Sequence, residues 1–206
     1  RIIAMGLNCE IENKPIANPC GICSNCKAIL QDRYEDVLEI DAASNTGVDD
    51  VREIISSLKY RPSKGSYKVF IIDEVHMLSN SAFNALLKTI EEPPSFVKFI
   101  FCTTEMQKIP ITIVSRCQKY NLNRVTLTSL CNYLKEITEL EKLDISKEAI
   151  AVIARNSEGS IRDSLTILDQ CILSFNNENI DVESVHQTLG LTSQSSLLEL
   201  YMNCLL

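Results

Sequence analysis

Nowhere in the 206 residues does G-x-x-x-x-G-K-[ST] occur, so this stretch carries no glycine-rich loop of the kind that cradles phosphates with backbone N–H groups. No apolar run approaches the ~20 residues that a membrane-spanning helix needs. No signal peptide is read at the start, and a soluble, cytoplasmic protein without membrane contact is expected. Positive charge is in deficit: 20 Lys and Arg against 27 Asp and Glu leave a formal charge of -7 and a pI near 5.0. That excludes a surface that holds nucleic acid by bulk charge, so any DNA contact must be local or shared. Glycine and proline, six of each, are sparse beside 45% hydrophobic residues, which excludes a disordered chain. The length allows one large domain or two small ones. Nine cysteines would suggest disulfides in a secreted protein, but four cluster and five are scattered through apolar segments, which fits a reducing compartment.

What is present centres on residues 67–94, YKVFIIDEVHMLSNSAFNALLKTIEEPP. Val69-Phe70-Ile71-Ile72 is a continuous apolar run, as in a parallel strand covered on both faces. Asp73 and Glu74 follow at once, at the carboxyl edge where open α/β sheets place their ligands. An acid in the first position can hold Mg²⁺ against nucleotide phosphates, and the neighbouring Glu can orient the attacking water. Ser79 or Asn80 then caps a helix with Phe83, Leu86, Leu87 and Ile90 at helical spacing, and Pro93-Pro94 stops it.

Cys9, Cys20, Cys23 and Cys26 form a second constellation, the last three as C-x2-C-x2-C. Four thiolates and no open position suit a closed structural zinc site without catalysis, with a redox dithiol, free core thiols or an iron–sulfur cluster as the competing readings. Further strands are expected at Asp36–Asp41, Val97–Thr103 and Gln118–Leu122. Thr46-x-x-Asp49 outlines a capping box for a helix carrying Val48, Val51, Ile54, Ile55 and Leu58. The basic residues Lys59, Arg61, Lys64 and Lys68 read as a solvated turn. From 126 onward four helices are expected, at 127–141, 146–156, 160–175 and 181–189, making a small helical domain. Arg1 to Leu7 reads as the middle of a helix, and a missing N-terminus is expected.

IIDEVHML with FNALLKTIEEPP is similar to the gamma/tau family of bacterial DNA polymerase III, ATP-driven clamp loaders of the AAA+ class. The resemblance runs nearly the whole length. It implies an α/β P-loop NTPase (AAA+) parallel sheet, N-terminally truncated, with a zinc module at 9–26. It implies the domain order 1–124 (nucleotide-binding), 125–190 (all-α lid) and 191–206 (the start of a truncated oligomerising collar). In the family a four-cysteine zinc module stands at this place, and the family's P-loop lies immediately upstream of the segment that Arg1 opens. Asp73 would hold Mg²⁺ and Glu74 would orient water. The sensor-1 position falls at Thr103 or Thr104, which could equally be strand-end threonines that cap nearby backbone. Arg116, in the order PxTIxSRC, matches the arginine finger that completes a neighbouring subunit's site. Arg162 in GSIRDSL is similar to the sensor-2 arginine, with pairing to Asp163 or Glu158 as the alternative. Asn45 stands where the family often has a basic residue.

The implied function is an ATPase motor subunit within DNA-directed DNA polymerase III, a nucleotidyltransferase complex, using ATP, Mg²⁺ and Zn²⁺. Implied partners are the delta and delta-prime subunits, further gamma/tau copies, the beta sliding clamp and primed DNA. Two other readings stay open: a non-hydrolysing stator similar to delta-prime, and an inert zinc-binding interaction module. A branch-migration helicase of the same class has no place for the cysteines. The P-loop strand is expected between the last two strands, so the 206 residues alone are expected neither to bind ATP tightly nor to unfold as one cooperative domain.

Overall fold

The computed structural model describes residues 1–12, 14–44, 47–58, 60–175 and 180–190. Asn45, the Thr46 cap, Lys59 and the expected collar start at 191–206 lie outside the described residues. By packing the chain divides into two compact units, Arg1–Tyr120 and a second that begins at Asn121.

In the first unit, helices α1 (Ile2–Asn8) and α2 (Ser24–Leu30) precede strand β1 (Val37–Asp41). Helix α3 (Val48–Ser57), strand β2 (Lys68–Asp73), helix α4 (Asn80–Glu91), strand β3 (Val97–Phe101) and the short α5 (Ile111–Val114) follow. The three strands form a parallel sheet in the order β1-β2-β3, with Asp41 opposite Asp73 and Lys68 opposite Val97. Successive side chains of β2 point to opposite faces. Val69 and Ile71 pack with Met5, Cys26 and Ile29 on the α1/α2 side. Ile72 packs on the other side with Val51, Phe83 and Leu86, and Phe70 with Ile54, Leu58 and Val97. Covered on both faces, β2 needs the unbroken apolar run that its sequence shows. Ser79 is the residue that caps α4, its Oγ accepting the Ala82 N–H at 3.2 Å.

Gln118–Leu122 is not a strand. All five residues are exposed, Leu122 at 95%, and they pair with no other segment among the described residues. A strand needs a ladder partner, and no described strand lies on the far edge of β3 to supply one. Strand β3 also ends at Phe101, two residues short of the expected Thr103, because its last rung pairs Phe101 with Ile72.

The second unit is helical: α6 (Leu127–Leu140), α7 (Lys147–Asn156), α8 (Ile161–Phe175) and α9 (Val182–Leu189). Thr126, Ser146 and Asp181 each accept a backbone N–H at the start of their helices. The four helices enclose Leu130, Leu134, Ile153, Leu168, Cys171 and Val185. Gly159 has φ +82°, and a Cβ there would lie 2.7 Å from the Val125 carbonyl oxygen, so the turn into α8 requires glycine.

Candidate nucleotide and metal sites

Strand β2 delivers Asp73 to the carboxyl edge of the sheet, and the chain then turns sharply. Glu74 adopts the left-handed region, at φ 46° and ψ 43°, and a 3-10 turn, Val75–Met77, follows. The Asp73 carboxylate accepts the Glu74 N–H at 3.0 Å. The end of β3 is sewn alongside: Cys102 N–H donates to the Ile72 carbonyl at 2.9 Å, and Val75 N–H donates to the Cys102 carbonyl at 3.0 Å. Thr103 and Thr104 thereby come to the acid pair. Thr104 Oγ1 donates to Glu74 Oε2 at 3.3 Å, while Thr103 Oγ1 lies 3.1 Å from His76 Nδ1 and accepts the Glu105 N–H at 3.0 Å. The backbone-capping alternative for Thr103 is thus present in the geometry together with its place beside the acids.

His76 and Glu105 join this cluster without any sequence signal that marked them. His76 Nδ1 is 3.2 Å from Glu74 Oε2, and Nε2 is 3.3 Å from Glu105 Oε1. The Lys108 ammonium, 2.7 Å from Glu105 Oε1, holds the Glu105 carboxyl below the usual range. Carboxylates, hydroxyls and an imidazole thus converge where two parallel strands run out. Asp73 and Glu74 are exposed or half-exposed there, so a hard cation and its water can reach oxygen ligands of the kind Mg²⁺ takes.

The four cysteines converge too. Cys9 Sγ lies 3.6 Å from Cys20 Sγ, Cys20 Sγ lies 4.0 Å from Cys26 Sγ, and all four sulfurs fall within 4.8 Å of one another. A tetrahedral zinc with Zn–S bonds of about 2.3 Å has S···S edges of about 3.8 Å, so the donor set fits that ion. The α2 N-terminus helps to build the site, Cys23 Sγ accepting the Cys26 N–H and Cys20 Sγ the Cys23 N–H. Burial would push the Cys23 thiol up, but the N–H groups of Glu10 and Cys26 and the adjoining thiols draw it down to about 6. Burial pushes Cys26 up to about 12. Asn8 anchors the cluster to the base of β2: its amide donates to the Tyr67 carbonyl and accepts the Tyr67 N–H, both at 2.9 Å.

Arg116 follows α5 and is tethered at three points, one of them a 3.4 Å hydrogen bond from its NH1 group to Ser115 Oγ. Its NH2 group donates to Glu91 Oε1 at 2.7 Å and its NH1 group to the Thr112 carbonyl at 2.7 Å, while Nε has no partner among the described residues. Arg162, in the second unit, is exposed at the start of α8. Among the described residues it pairs with neither Asp163 nor Glu158; Glu158 is held instead by Arg124, at 3.2 Å.

A parallel sheet sandwiched by helices, an acid pair at the carboxyl end of β2 and a following four-helix unit define a P-loop ATPase fold of the AAA+ class. The Thermotoga maritima RuvB Holliday junction branch migration motor has this fold, with a TM-score of 0.62 over 80% of this chain and 55% of its own, at 20% identity. At that identity the likeness concerns the fold alone. Residues 1–126 match the family described as DNA polymerase III, delta subunit, and residues 129–183 match the clamp loader subunit ATPase lid domain of the same polymerase. The chain belongs to the DNA polymerase III clamp-loader subunit family. It is 46% identical over 194 residues to DNA polymerase III subunit tau of Bacillus subtilis, covering 94% of this chain and 34% of that protein. Against the Escherichia coli tau subunit it is 44% identical over 200 residues, covering 97% and 31% respectively. For the gamma subunit of Buchnera aphidicola subsp. Baizongia pistaciae the identity is 43% over 198 residues, covering 96% and 53%. The chain thus spans about a third to a half of the length of these relatives.

Proposed function

We propose that this chain is the ATP-hydrolysing part of a clamp-loader subunit of DNA polymerase III, acting in the cytoplasm to load a sliding clamp onto primed DNA. One observation carries the reading: Asp73 and Glu74 stand at the carboxyl end of β2, and beyond the end of β3 Thr104 is brought against Glu74 and Thr103 against the neighbouring His76. When bound, Mg²⁺ would supply positive charge beside the phosphates of ATP. Asp73 would hold that ion, Glu74 would orient the attacking water, and Thr103 or Thr104 would hydrogen-bond the terminal phosphate. Arg116, on an exposed turn, would exchange its contacts with Glu91 and Thr112 for a neighbouring subunit's nucleotide, and Arg162 would be the nucleotide-sensing arginine of the helical lid. The four cysteines hold a structural Zn²⁺ that takes no part in hydrolysis. The partners are delta, delta-prime and further gamma/tau subunits, the beta clamp and DNA.

Glu74→Gln, in the full-length subunit within its assembled complex, tests this. Mg-ATP affinity should hold while DNA-stimulated turnover falls by about 10² or more, as expected when a water-orienting or general-base group is removed. Unchanged turnover would overturn the reading. A second reading, a non-hydrolysing stator, is favoured by the match of residues 1–126 to the delta family. It expects no turnover at this subunit's own site even with Glu74 intact.

A further inference from the structure

His76 lies between the acid pair and the end of β3, and the proposed function leaves it without a task. Its side chain is only 7% exposed. Both ring nitrogens are nevertheless in polar contact, with Thr103 and Glu74 at Nδ1 and Glu105 at Nε2. Burying an imidazole costs free energy unless its nitrogens are partnered, and here every partner belongs to the catalytic edge. The ring's backbone is fixed as well: the flanking Val75 is fully buried and donates its N–H to the Cys102 carbonyl. The imidazole is therefore a rigid strut between the ends of two strands.

Nδ1 lies 3.1 Å from the Thr103 hydroxyl and 3.2 Å from Glu74 Oε2, so the ring stands between the two side chains. The Thr103 oxygen already accepts the Glu105 N–H, so its own proton is free to turn toward His76 or outward. We propose that His76 is a positioning residue that ties the Glu74 carboxylate to the state of Thr103, so that the hydroxyl that senses nucleotide and the carboxylate that orients water act as one unit. This rests on the assignment of Glu74 as the water-orienting acid.

The full-length subunit in its assembled complex supplies the test. His76→Ala should lower kcat for DNA-stimulated ATP turnover about tenfold or more while Mg-ATP affinity stays within about twofold, the pattern of lost positioning. His76→Asn, which keeps a polar atom near the Nδ1 position, should recover part of that loss. His76→Ala combined with Thr103→Val should be no slower than the slower single variant, since both act through one link. A readout independent of turnover comes from the nucleotide-free protein. In a long-range proton–nitrogen correlation spectrum, assigned by the signal lost in His76→Asn, Thr103→Val should shift Nδ1 more than Nε2. Wild-type turnover in His76→Ala beside an inactive Glu74→Gln overturns the role of His76 alone, whereas wild-type turnover in Glu74→Gln overturns the functional reading beneath it. Additive losses in the double variant, or an Nδ1 signal indifferent to Thr103→Val, also overturn the proposal. If His76→Ala does not fold, His76→Asn and the spectrum still decide.

Discussion

Asp36 is a buried carboxylate, 3% exposed, that organises the turn before β2. Its oxygens accept the N–H groups of Ser63, Lys64 and Gly65 at 2.8, 2.9 and 2.9 Å. Burial acts to raise its affinity for a proton, but these three donors outweigh burial and hold the carboxyl below its ordinary value of 3.8. A carboxyl lowered on folding stabilises the folded state when ionised. That contribution is complete above the unfolded-state value and is lost as pH falls below 3.8 through the folded-state one. Asp36→Ala should therefore cost about 1–3 kcal/mol at neutral pH, read by urea unfolding, with the gap from wild type closing in strong acid. A gap that persists unchanged in acid would mean that the carboxylate's charge is not what holds the turn. The sequence offered little warning of this role, because a single Asp before a strand has many readings and its donors lie 27 to 29 residues away. Asp73 and Glu74 were legible for the opposite reason: a run of four apolar residues ends on them. His76, Glu91, Glu105 and Asn8 take their meaning from partners on other elements, which no local pattern reveals.

Among the elements, β2 and the four helices of the second unit were readable because periodicity and caps agree with burial. Gln118–Leu122 shows the limit. Its residues suit a strand locally, but a strand is a pairing and not a property of five residues. The α1/α2 layer shows a different dependence. Helices of seven residues are too short to be stable by themselves in water. They meet beside the four sulfurs, with Cys9 at the end of α1 and Cys23 at the start of α2, and share a core with Val69 and Ile71. A tetrathiolate metal would clamp both helix ends, and closed sites of this kind make metal binding part of folding. Elemental analysis of purified protein should find about one zinc per chain, and a chelator should raise amide exchange in α1 and α2 before it does so in α6 to α9. Protein without zinc, or an iron chromophore, would refute the assignment, and uniform loosening of both units would refute the local clamp.

At the scale of the whole molecule, the distribution of charge decides what the carboxyl edge of the sheet can do unaided. The chain is net acidic, at -7, and the strand ends gather Asp41, Asp73, Glu74 and Glu105, with Lys108 already committed to Glu105. Such an edge suits a cation and a water, yet it repels a polyanionic nucleotide unless donors elsewhere meet the phosphates. P-loop ATPases supply those donors as a run of backbone N–H groups and a lysine, and no segment of these 206 residues has the sequence that folds into one. Mg²⁺ can offset only part of the repulsion, since it binds weakly through one or two carboxylates and keeps most of its water. The expected outcome is that the 206-residue chain, titrated with Mg-ATP in a calorimeter, shows no micromolar binding, while the full-length subunit does. The difference should persist at high salt, because backbone donors facing phosphate at close range are screened far less than separated surface charges. Micromolar binding by the 206 residues themselves would require a phosphate cradle built from other groups, and Arg162, exposed at the start of α8 without an ion-pair partner among the described residues, would be the first side chain to replace in locating it.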